Sequence, residues 1–176
     1  MTSPRIHTTL PGLSLRQATR ADAALVLDFI HRLAAYEKLS HEVEATVADI
    51  EDALFGARPF AEVVIAELDA APAGFILWFP TYSTFVGKPG IHIEDLFVLP
   101  GMRGRGIGKC LLAWAARVAR ERGWGRVEWS VLDWNEPALR LYQSIGAEAK
   151  TEWVLQRLTG AALARLAAEF PARDHD

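Results

Sequence analysis

The chain has 176 residues, of which 51% are hydrophobic and 23% are charged, and it carries a formal net charge of −3 at pH 7. This composition is that of one ordinary globular domain, and it lacks the basic excess that nucleic-acid-binding proteins use. No apolar run approaches the ~20 residues of a membrane span and no signal-peptide pattern is present, so we expect a cytoplasmic protein. A single cysteine excludes an intrachain disulfide or a cysteine-rich zinc site, and we expect no metal.

The N-terminal part is predicted to hold a tail, a strand and a helix. Residues 1–12 contain two prolines and no periodic pattern, which is typical of a flexible tail. Residues 13–18 alternate apolar and polar side chains, as a strand with one buried face does. Thr19 or Asp22 can cap the helix that follows, and its apolar stripe ends near Tyr36.

A second helix and two strands come next. Thr46, followed three residues later by Asp49, is a capping-box pattern, and Gly56 is typical of the residue that ends a helix. Residues 60–68 and 73–79 are apolar, β-branched and aromatic runs separated by a hairpin-sized connection. They therefore predict two adjacent strands.

The second half of the chain alternates strands and helices. The predicted elements are a strand at residues 91–99, a helix ending near residue 122, a strand at 126–132, a helix at 135–146, a strand at 147–158 and a helix at 160–168. This order predicts an α/β fold with a mixed sheet and helices on both faces. We expect a single domain that spans residues 13–170.

The turn after the strand at residues 91–99 carries Arg103 and three glycines on alternate positions, Gly104, Gly106 and Gly108. Such a turn at a helix N-terminus aims several backbone N–H groups into one concavity, which favours phosphate binding. The spacing excludes a P-loop, which needs Ser or Thr after Gly-Lys, and it excludes the Gly-x-Gly-x-x-Gly dinucleotide fingerprint. A plain connecting turn needs only one glycine, so we favour an anion site.

The spacing Arg-x-x-Gly-x-Gly, read at Arg103, Gly106 and Gly108, resembles the pyrophosphate loop of the GNAT acyltransferase superfamily. The resemblance implies the GNAT acyltransferase fold, in which a mixed, mostly antiparallel central sheet splays at its fourth and fifth predicted strands. It also implies acetyl-CoA as a co-substrate. The residues that it assigns to the coenzyme are Leu96, Phe97, Val98, Arg103, Gly104, Arg105, Gly106, Ile107, Gly108, Lys109, Asn135, Glu136, Pro137 and Tyr142.

A second segment, in the order that this superfamily uses, supports the resemblance. Asn135 at a helix N-cap and Pro137 just inside the helix form a good start signal. Tyr142 follows Asn135 by about two helical turns, so both can face one groove. The competing interpretation of Tyr142 is a core aromatic whose hydroxyl reaches the surface.

The match extends to the diamine (spermidine/spermine) acetyltransferase group, and within it the chain resembles the thialysine N-epsilon-acetyltransferase branch. Ser83 and Phe85 stand where the polyamine-acetylating branch carries an aspartate and a tryptophan. That aspartate would pair with a remote ammonium of a polyamine. The matching segments are Tyr36-Glu37, Thr81-Tyr82-Ser83-Thr84, Glu94-Asp95, Arg103 to Gly108, Leu132 to Asn135, and Tyr142.

The implied reaction must take a proton from an amine of pKa ~10.4 and give one to the leaving thiolate. The resemblance implies Glu94 as the base, through ordered water, and Tyr142 as the acid. Asp95 is expected on the opposite face from Glu94, because side chains alternate along a strand. The residues assigned to the amine pocket are Tyr36, Glu37, Ser83, Glu94, Glu128, Trp129 and Ser130. For Trp129, a packed core position is as good an interpretation as substrate contact.

Several functions are compatible with the sequence. The first is an acetyl-CoA-dependent N-acetyltransferase that acts on a small primary amine, such as thialysine, lysine or a short diamine, by direct transfer in a ternary complex. The alternatives are a polyamine acetyltransferase, a protein N-acetyltransferase and a non-catalytic acyl-CoA-binding module. The last would need neither Glu94 nor Tyr142. The family resemblance also implies a homodimer.

Overall fold

The computed structural model describes residues 4–170, which contain one sheet of six strands and five α-helices. The strands are β1 (Ile6–His7), β2 (Leu13–Gln17), β3 (Glu62–Leu68), β4 (Ala71–Ser83), β5 (Lys88–Val98) and β6 (Val127–Trp129). The helices are α1 (Ala23–Glu37), α2 (Val47–Phe55), α3 (Ile107–Glu121), α4 (Glu136–Ser144) and α5 (Gly160–Ala168).

The strands lie side by side in sequence order. Every neighbouring pair from β1 to β5 is antiparallel, and only β5 and β6 run parallel. A parallel pair needs a crossover connection, and α3 supplies it here. The mixed, mostly antiparallel sheet predicted from the sequence is thereby confirmed.

Helices cover both faces of the sheet. Phe75 and Trp78, three residues apart on β4, point to opposite faces. Phe75 stacks on Phe29 of α1 with ring centroids 5.3 Å apart, whereas Trp78 packs on Trp114 of α3 at 6.3 Å. The buried cluster on the α1 side consists of Ala23, Val26, Phe29, Ile50, Leu54, Val63, Ile65, Phe75 and Phe97.

The helix ends follow the predicted signals. Thr46 and Asp49 form the expected capping box at the start of α2. Helix α1 ends at Lys38, which adopts a left-handed conformation with φ of 64° and a hydrogen bond from its N–H to the carbonyl of Ala34. Tyr36 thus lies in the last turn of α1.

The predicted tail at residues 1–12 contains a short strand, and residues 1–3 of it lie outside the described residues. Ile6 and His7 form β1 against β2, and the Arg5 guanidinium donates to the Glu67 carboxylate at 2.8 Å. The β4–β5 hairpin is also longer than predicted, because its ladder continues to the pair of Ser83 and Lys88. Proline is tolerated in a strand where no ladder donor is needed, so Pro80 and Pro89 do not end it.

The strand predicted at residues 147–158 is wrong. These residues form no strand, and Trp153, Val154 and Leu155 are each more than 70% exposed. An apolar run becomes a strand only where another strand offers its backbone groups for pairing. The described part of the compact unit that contains residues 147–158, which ends at residue 170, has no strand, so it offers no partner there.

The chain divides into two compact units, one ending at Glu136 and the other beginning at Pro137. The first contains the whole sheet with α1 to α3, and the second contains most of α4 together with α5. The single domain over residues 13–170 stays a prediction. Among the residues described, no helix is both long and apolar enough to cross a bilayer.

Candidate active site

A β-bulge lies in β5 where the two acidic residues of that strand are found. Leu77 of β4 pairs with Asp95, and the next residue, Trp78, pairs with Ile93. Glu94 is therefore the extra residue that has no partner on β4. A bulge re-aims the side chains that follow it, and bulges are common next to active sites.

The bulge places Asp95 on the same face as His92, which corrects the prediction from simple alternation. His92 pairs with Phe79 and Asp95 pairs with Leu77, and these two β4 residues share a face because they are two positions apart. The Glu94 carboxylate reaches the same side, where its Oε2 lies 3.8 Å from His92 Nε2. Glu94 and Asp95 therefore do not point to opposite faces, since the extra residue breaks the period of two.

Asp95 and Glu37 have perturbed carboxyl groups. Burial raises the pKa of Asp95 to about 7, and the negative charges of Glu94 and Glu37 add to that rise. Burial also raises the pKa of Glu37, the last residue of α1. Among the described residues, no positive charge contributes to the pKa shift of Asp95 or of Glu37. An ammonium group placed beside these carboxyls would supply that charge.

Strands β5 and β6 separate just before the acidic pair. Their parallel ladder ends with Ile93 opposite Trp129. Beyond it, Leu96, Phe97 and Val98 pair with β4 on one edge only, and no described strand pairs with their other edge. That edge offers backbone groups to which an extended ligand could hydrogen-bond as an added strand.

The glycine-rich turn has the conformation that an anion site needs. Gly104 and Gly106 adopt left-handed φ angles of 76° and 81°. The first hydrogen bond into helix α3 runs from Cys110 N–H to the Gly106 carbonyl at 2.9 Å, so the amides of Ile107 to Lys109 precede the helical ladder. A Cβ on Gly106 would lie 3.3 Å from Leu10, so this glycine also permits close packing by the N-terminal segment.

Arg103 is folded back from the glycine turn onto β5 and α1. Its Nε donates to the Val98 carbonyl at 3.0 Å, and its guanidinium lies 4.4 Å from the centre of the Tyr36 ring and 5.6 Å from that of Phe97. Arginine over an aromatic ring is a cation–π contact. Arg103 thus links the glycine turn to the end of α1, although it is exposed, as are Arg105 and Lys109.

Tyr36 connects three of the predicted segments. Its hydroxyl donates to the Asn135 Oδ1 at 3.0 Å, and its ring lies 5.9 Å from that of Trp134. Arg103 contacts the same ring. Sequence reasoning named Tyr36 and Asn135 separately but missed their contact and the role of Trp134, because the two segments are 99 residues apart.

Three predicted pocket residues lie on or beside β6, and a fourth is remote. Glu128 pairs with His92 across the ladder and forms an ion pair with Arg126 at 2.6 Å, Trp129 is half-buried, and Ser130 follows the strand. Ser83 lies in the β4–β5 turn, where its hydroxyl accepts a hydrogen bond from Val86 N–H at 3.3 Å. Its partner Lys88 is six residues from Glu94, or ~20 Å along the strand, so this chain does not bring Ser83 to the acidic residues.

The remaining predicted residues lie on α4. Glu136 and Pro137 are its first two residues, as the start signal predicted, and Asn135 directly precedes it. Tyr142 lies on the same helix, within the second compact unit. Asn135 directly before α4 and Tyr142 on α4 agree with the predicted helix. The role of the Tyr142 hydroxyl as a proton donor stays a prediction.

The chain is similar to known proteins over most of its length. The sequence matches the acetyltransferase (GNAT) family over residues 28–147. It is 33% identical to the L-ornithine N5-acetyltransferase NATA1 of Arabidopsis thaliana, over 92% of this chain and 90% of that protein. It is 36% identical to the thialysine N-epsilon-acetyltransferase of Sus scrofa, over 90% of this chain and 99% of that protein. An integron cassette protein from the mobile metagenome of V. cholerae superposes with a TM-score of 0.73 at 25% identity, covering 89% of this chain and 98% of that one.

Proposed function

Because the chain belongs to the GNAT acetyltransferase family, and is therefore an N-acetyltransferase, we propose that it moves an acetyl group from acetyl-CoA to the primary amine of a small molecule. The substrate that we propose is an amino acid of thialysine, lysine or ornithine type, or a short diamine. Transfer is direct, within a ternary complex. The names of the relatives, which act on ornithine and thialysine, support this class.

One observation carries the proposal. The bulge in β5 gathers Glu94 and Asp95 on one face with Glu37 nearby, next to the point where β5 and β6 separate. A cluster of carboxylates attracts a cationic amine and repels a neutral or anionic acceptor. It also offers bases for the proton that the ammonium must lose.

The residues present fit acetyl-CoA. With Gly104 and Gly106 in left-handed conformations, the amides that begin α3 can serve a diphosphate, and the free edge of Leu96 to Val98 can pair with an extended amide-bearing arm. When bound, the coenzyme supplies an acetyl thioester, which an amine can attack. The hydrogen bond from Arg103 Nε to the Val98 carbonyl must break if this carbonyl is to accept a hydrogen bond from the arm of the coenzyme.

The chain's own residues then handle protons and orientation. A carboxylate of the cluster, Glu94 by family resemblance, accepts the proton of the ammonium. Tyr142 gives a proton to the departing sulfur. Tyr36, which contacts Asn135 and Arg103 and directly precedes Glu37, offers an aromatic face that can pack on an alkyl chain.

The test of this function is thiol release from acetyl-CoA in the presence of an amine panel. We expect turnover with thialysine, lysine, ornithine or diaminopropane at a higher kcat/KM than with spermidine, spermine or a lysine peptide. Preference for spermine would favour the polyamine alternative, and preference for the peptide would favour a protein substrate. Tight acetyl-CoA binding without turnover on any amine would identify a binding module.

Replacing Gly106 by alanine is expected to raise the Kd for acetyl-CoA about tenfold. Holding a non-glycine residue at φ of 81° costs about 1–2 kcal/mol, and the new Cβ would press on Leu10 at 3.3 Å. Gly101→Ala is the matched control, because nothing lies within 4 Å of its Cβ position and its φ is not positive. Calorimetric titration measures both. Equal Kd values for the two variants would show that the glycine turn does not bind the coenzyme.

We propose that two copies of the chain form a homodimer and that the tip of the β4–β5 hairpin takes part. Tyr82, Phe85 and Val86 are 63%, 95% and 56% exposed, and such an apolar patch marks an interface. Phe85→Ser is expected to lower the mass found by light scattering from that of a dimer to 19.4 kDa. Phe60→Ser, at another exposed phenylalanine, should leave the dimer intact. A monomeric wild-type protein would refute the proposal. The cytoplasmic location stays a prediction.

A further inference from the structure

A strip of four polar side chains runs along one face of β5 and β6, from the bulge toward the β4–β5 turn. Glu94 Oε2 lies 3.8 Å from His92 Nε2, and His92 is the neighbour of Glu128 in the parallel ladder. Arg126 is two residues before Glu128, so it shares that face, and its Nε lies 2.6 Å from the Glu128 carboxylate. These side chains are between 28% and 59% exposed, so a solute can reach all four.

The glycine at position 90 allows Arg126 to lie over β5. The Ile91 N–H donates to the Arg126 carbonyl at 3.0 Å, which places Arg126 beside Gly90. A Cβ on Gly90 would lie 3.0 Å from Cγ of Arg126, so a side chain at position 90 would push the arginine away. The stem of Arg126 therefore lies on the face of β5 that also carries His92.

The length of the polar strip matches that of an amino acid with a terminal amine. Gly90 and Glu94 are four residues apart on β5, which is ~13 Å along a strand. An extended lysine spans about 7 Å from its terminal nitrogen to its carboxylate carbon, because six bonds of ~1.5 Å join them. A charge-assisted hydrogen bond of about 2.8 Å at each end brings the total to ~13 Å. One such molecule can therefore reach Glu94 and Arg126 together.

The ion pair of Arg126 and Glu128 is complementary to the head group of an amino acid. The guanidinium can take a carboxylate through two parallel hydrogen bonds, and the carboxylate of Glu128 can accept from an α-ammonium. A diamine has no carboxylate, and its second ammonium would meet the positive charge of Arg126. The two side chains are 41% and 43% exposed, and an ion pair so exposed contributes little to the stability of the fold.

We propose that Arg126 and Glu128 determine the specificity of the enzyme by binding the α-carboxylate and the α-ammonium of the substrate. The substrate class is then an α-amino acid with a terminal primary amine, and not a diamine. The inference rests on the proposed N-acetyltransferase function and narrows its substrate. Arg126 lies outside the residues that the family resemblance assigns to the amine pocket. With the α-ammonium held at Glu128, the terminal amine is the one that receives the acetyl group.

The experiment compares lysine with lysine amide, which has no carboxylate charge, and with 1,5-diaminopentane, which is lysine without its carboxyl group. We expect kcat/KM of the wild type to be about tenfold or more higher for lysine than for either analogue, because a hydrogen-bonded charge is lost. Arg126→Gln should raise KM for lysine about tenfold with little change in kcat, since this contact is equal in the ground state and the transition state. The kcat/KM for lysine amide should change less than about twofold, because that amine has no carboxylate for Arg126 to bind.

Two further variants complete the comparison. Arg126→Lys keeps the charge but not the planar group, so its preference for lysine should be intermediate. Arg117→Gln is the matched control, because it removes an arginine from another exposed ion pair, that with Glu121 on α3, and it should keep the wild-type preference.

The outcomes separate this inference from the function on which it rests. A wild type that turns over lysine and lysine amide equally would overturn the inference and leave the acetyltransferase function standing. Equal losses on both amines in Arg126→Gln would also overturn it, because the arginine would then support the fold and not the choice of substrate. A wild-type protein that turns over no amine, although it binds acetyl-CoA, would remove both.

Discussion

Replacing Tyr142 by phenylalanine is expected to lower kcat about 10²–10⁴-fold, because general acid catalysis by one positioned side chain contributes that much. The leaving thiolate needs a proton, and phenylalanine keeps the ring of Tyr142 but has no hydroxyl to donate one. The KM values for acetyl-CoA and for the amine should change much less, since the lost interaction acts in the transition state. Steady-state kinetics by thiol release measure all three quantities.

The matched control is Tyr82→Phe, which removes the hydroxyl of a tyrosine that is 63% exposed on β4. We expect it to leave kcat unchanged. A thioester with a better leaving group should recover part of the loss in Tyr142→Phe, because a more acidic thiol needs less help from the acid. If Tyr142→Phe keeps more than half of the wild-type kcat, the phenol does not supply the proton and water or another group must do so.

The elements that the sequence predicted well are those set by local chemistry. The capping box at Thr46 and Asp49 appears as expected, and so does the short helix α5. The glycine turn could be predicted because two of its glycines, Gly104 and Gly106, occupy φ angles that other residues avoid. These signals lie within a few residues of one another, so no knowledge of the partner strands was needed.

The bulge at Glu94 could not be predicted in this way. A bulge depends on the register between β4 and β5, and alternation along β5 alone gives the wrong face for Asp95. The sequence signal was the presence of two adjacent acids in a strand that is mostly apolar. The same limit applies to the contact of Tyr36 with Asn135, which the fold creates between distant segments.

The error at residues 147–158 has a different cause. Trp153, Val154 and Leu155 are residue types that favour a strand, but a strand needs a partner edge that composition does not reveal. Trp153, Val154 and Leu155 remain more than 70% exposed. Apolar surface of this kind agrees with the proposal that the chain associates with a second copy.

A network of charged side chains joins β2, β3 and the turn before α1, away from the acidic residues of β5. Arg16 donates to both carboxylate oxygens of Asp22 at 2.8 Å and through Nε to Glu67 at 2.8 Å. The side chains of Arg16, Asp22 and Glu67 are only 13%, 13% and 6% exposed. Arg5 is the second cation on Glu67. Removing Arg16 would leave the carboxylates of Asp22 and Glu67 shielded from water and with fewer hydrogen-bond donors.

Arg16→Met is therefore expected to lower the free energy of unfolding by about 3–5 kcal/mol at pH 7, the cost of breaking a buried ion pair from one side. The hydrogen bond from Arg16, with those from Thr19, holds the pKa of Asp22 at about 2 against burial, which would raise it. A carboxyl with a lowered pKa stabilises the fold above its unfolded pKa of ~3.9 and loses that contribution as the pH falls from there toward 2. The free energy of unfolding of the wild type should therefore fall as the pH drops from ~3.9 toward 2. The free energy of unfolding of Arg16→Met should fall much less over the same pH range.

Denaturant unfolding at pH 7 and at pH 3 measures this difference. Arg117→Met is the control, because its pair with Glu121 has side chains that are 72% and 59% exposed, and such pairs contribute less than about 1 kcal/mol. Arg16→Lys keeps one charge but not the planar group that reaches two carboxylates, so an intermediate loss is expected. If Arg16→Met and Arg117→Met lose equal stability, solvent screens the network despite its burial, and the anchoring of α1 to the sheet must come from the Phe29–Phe75 contact instead.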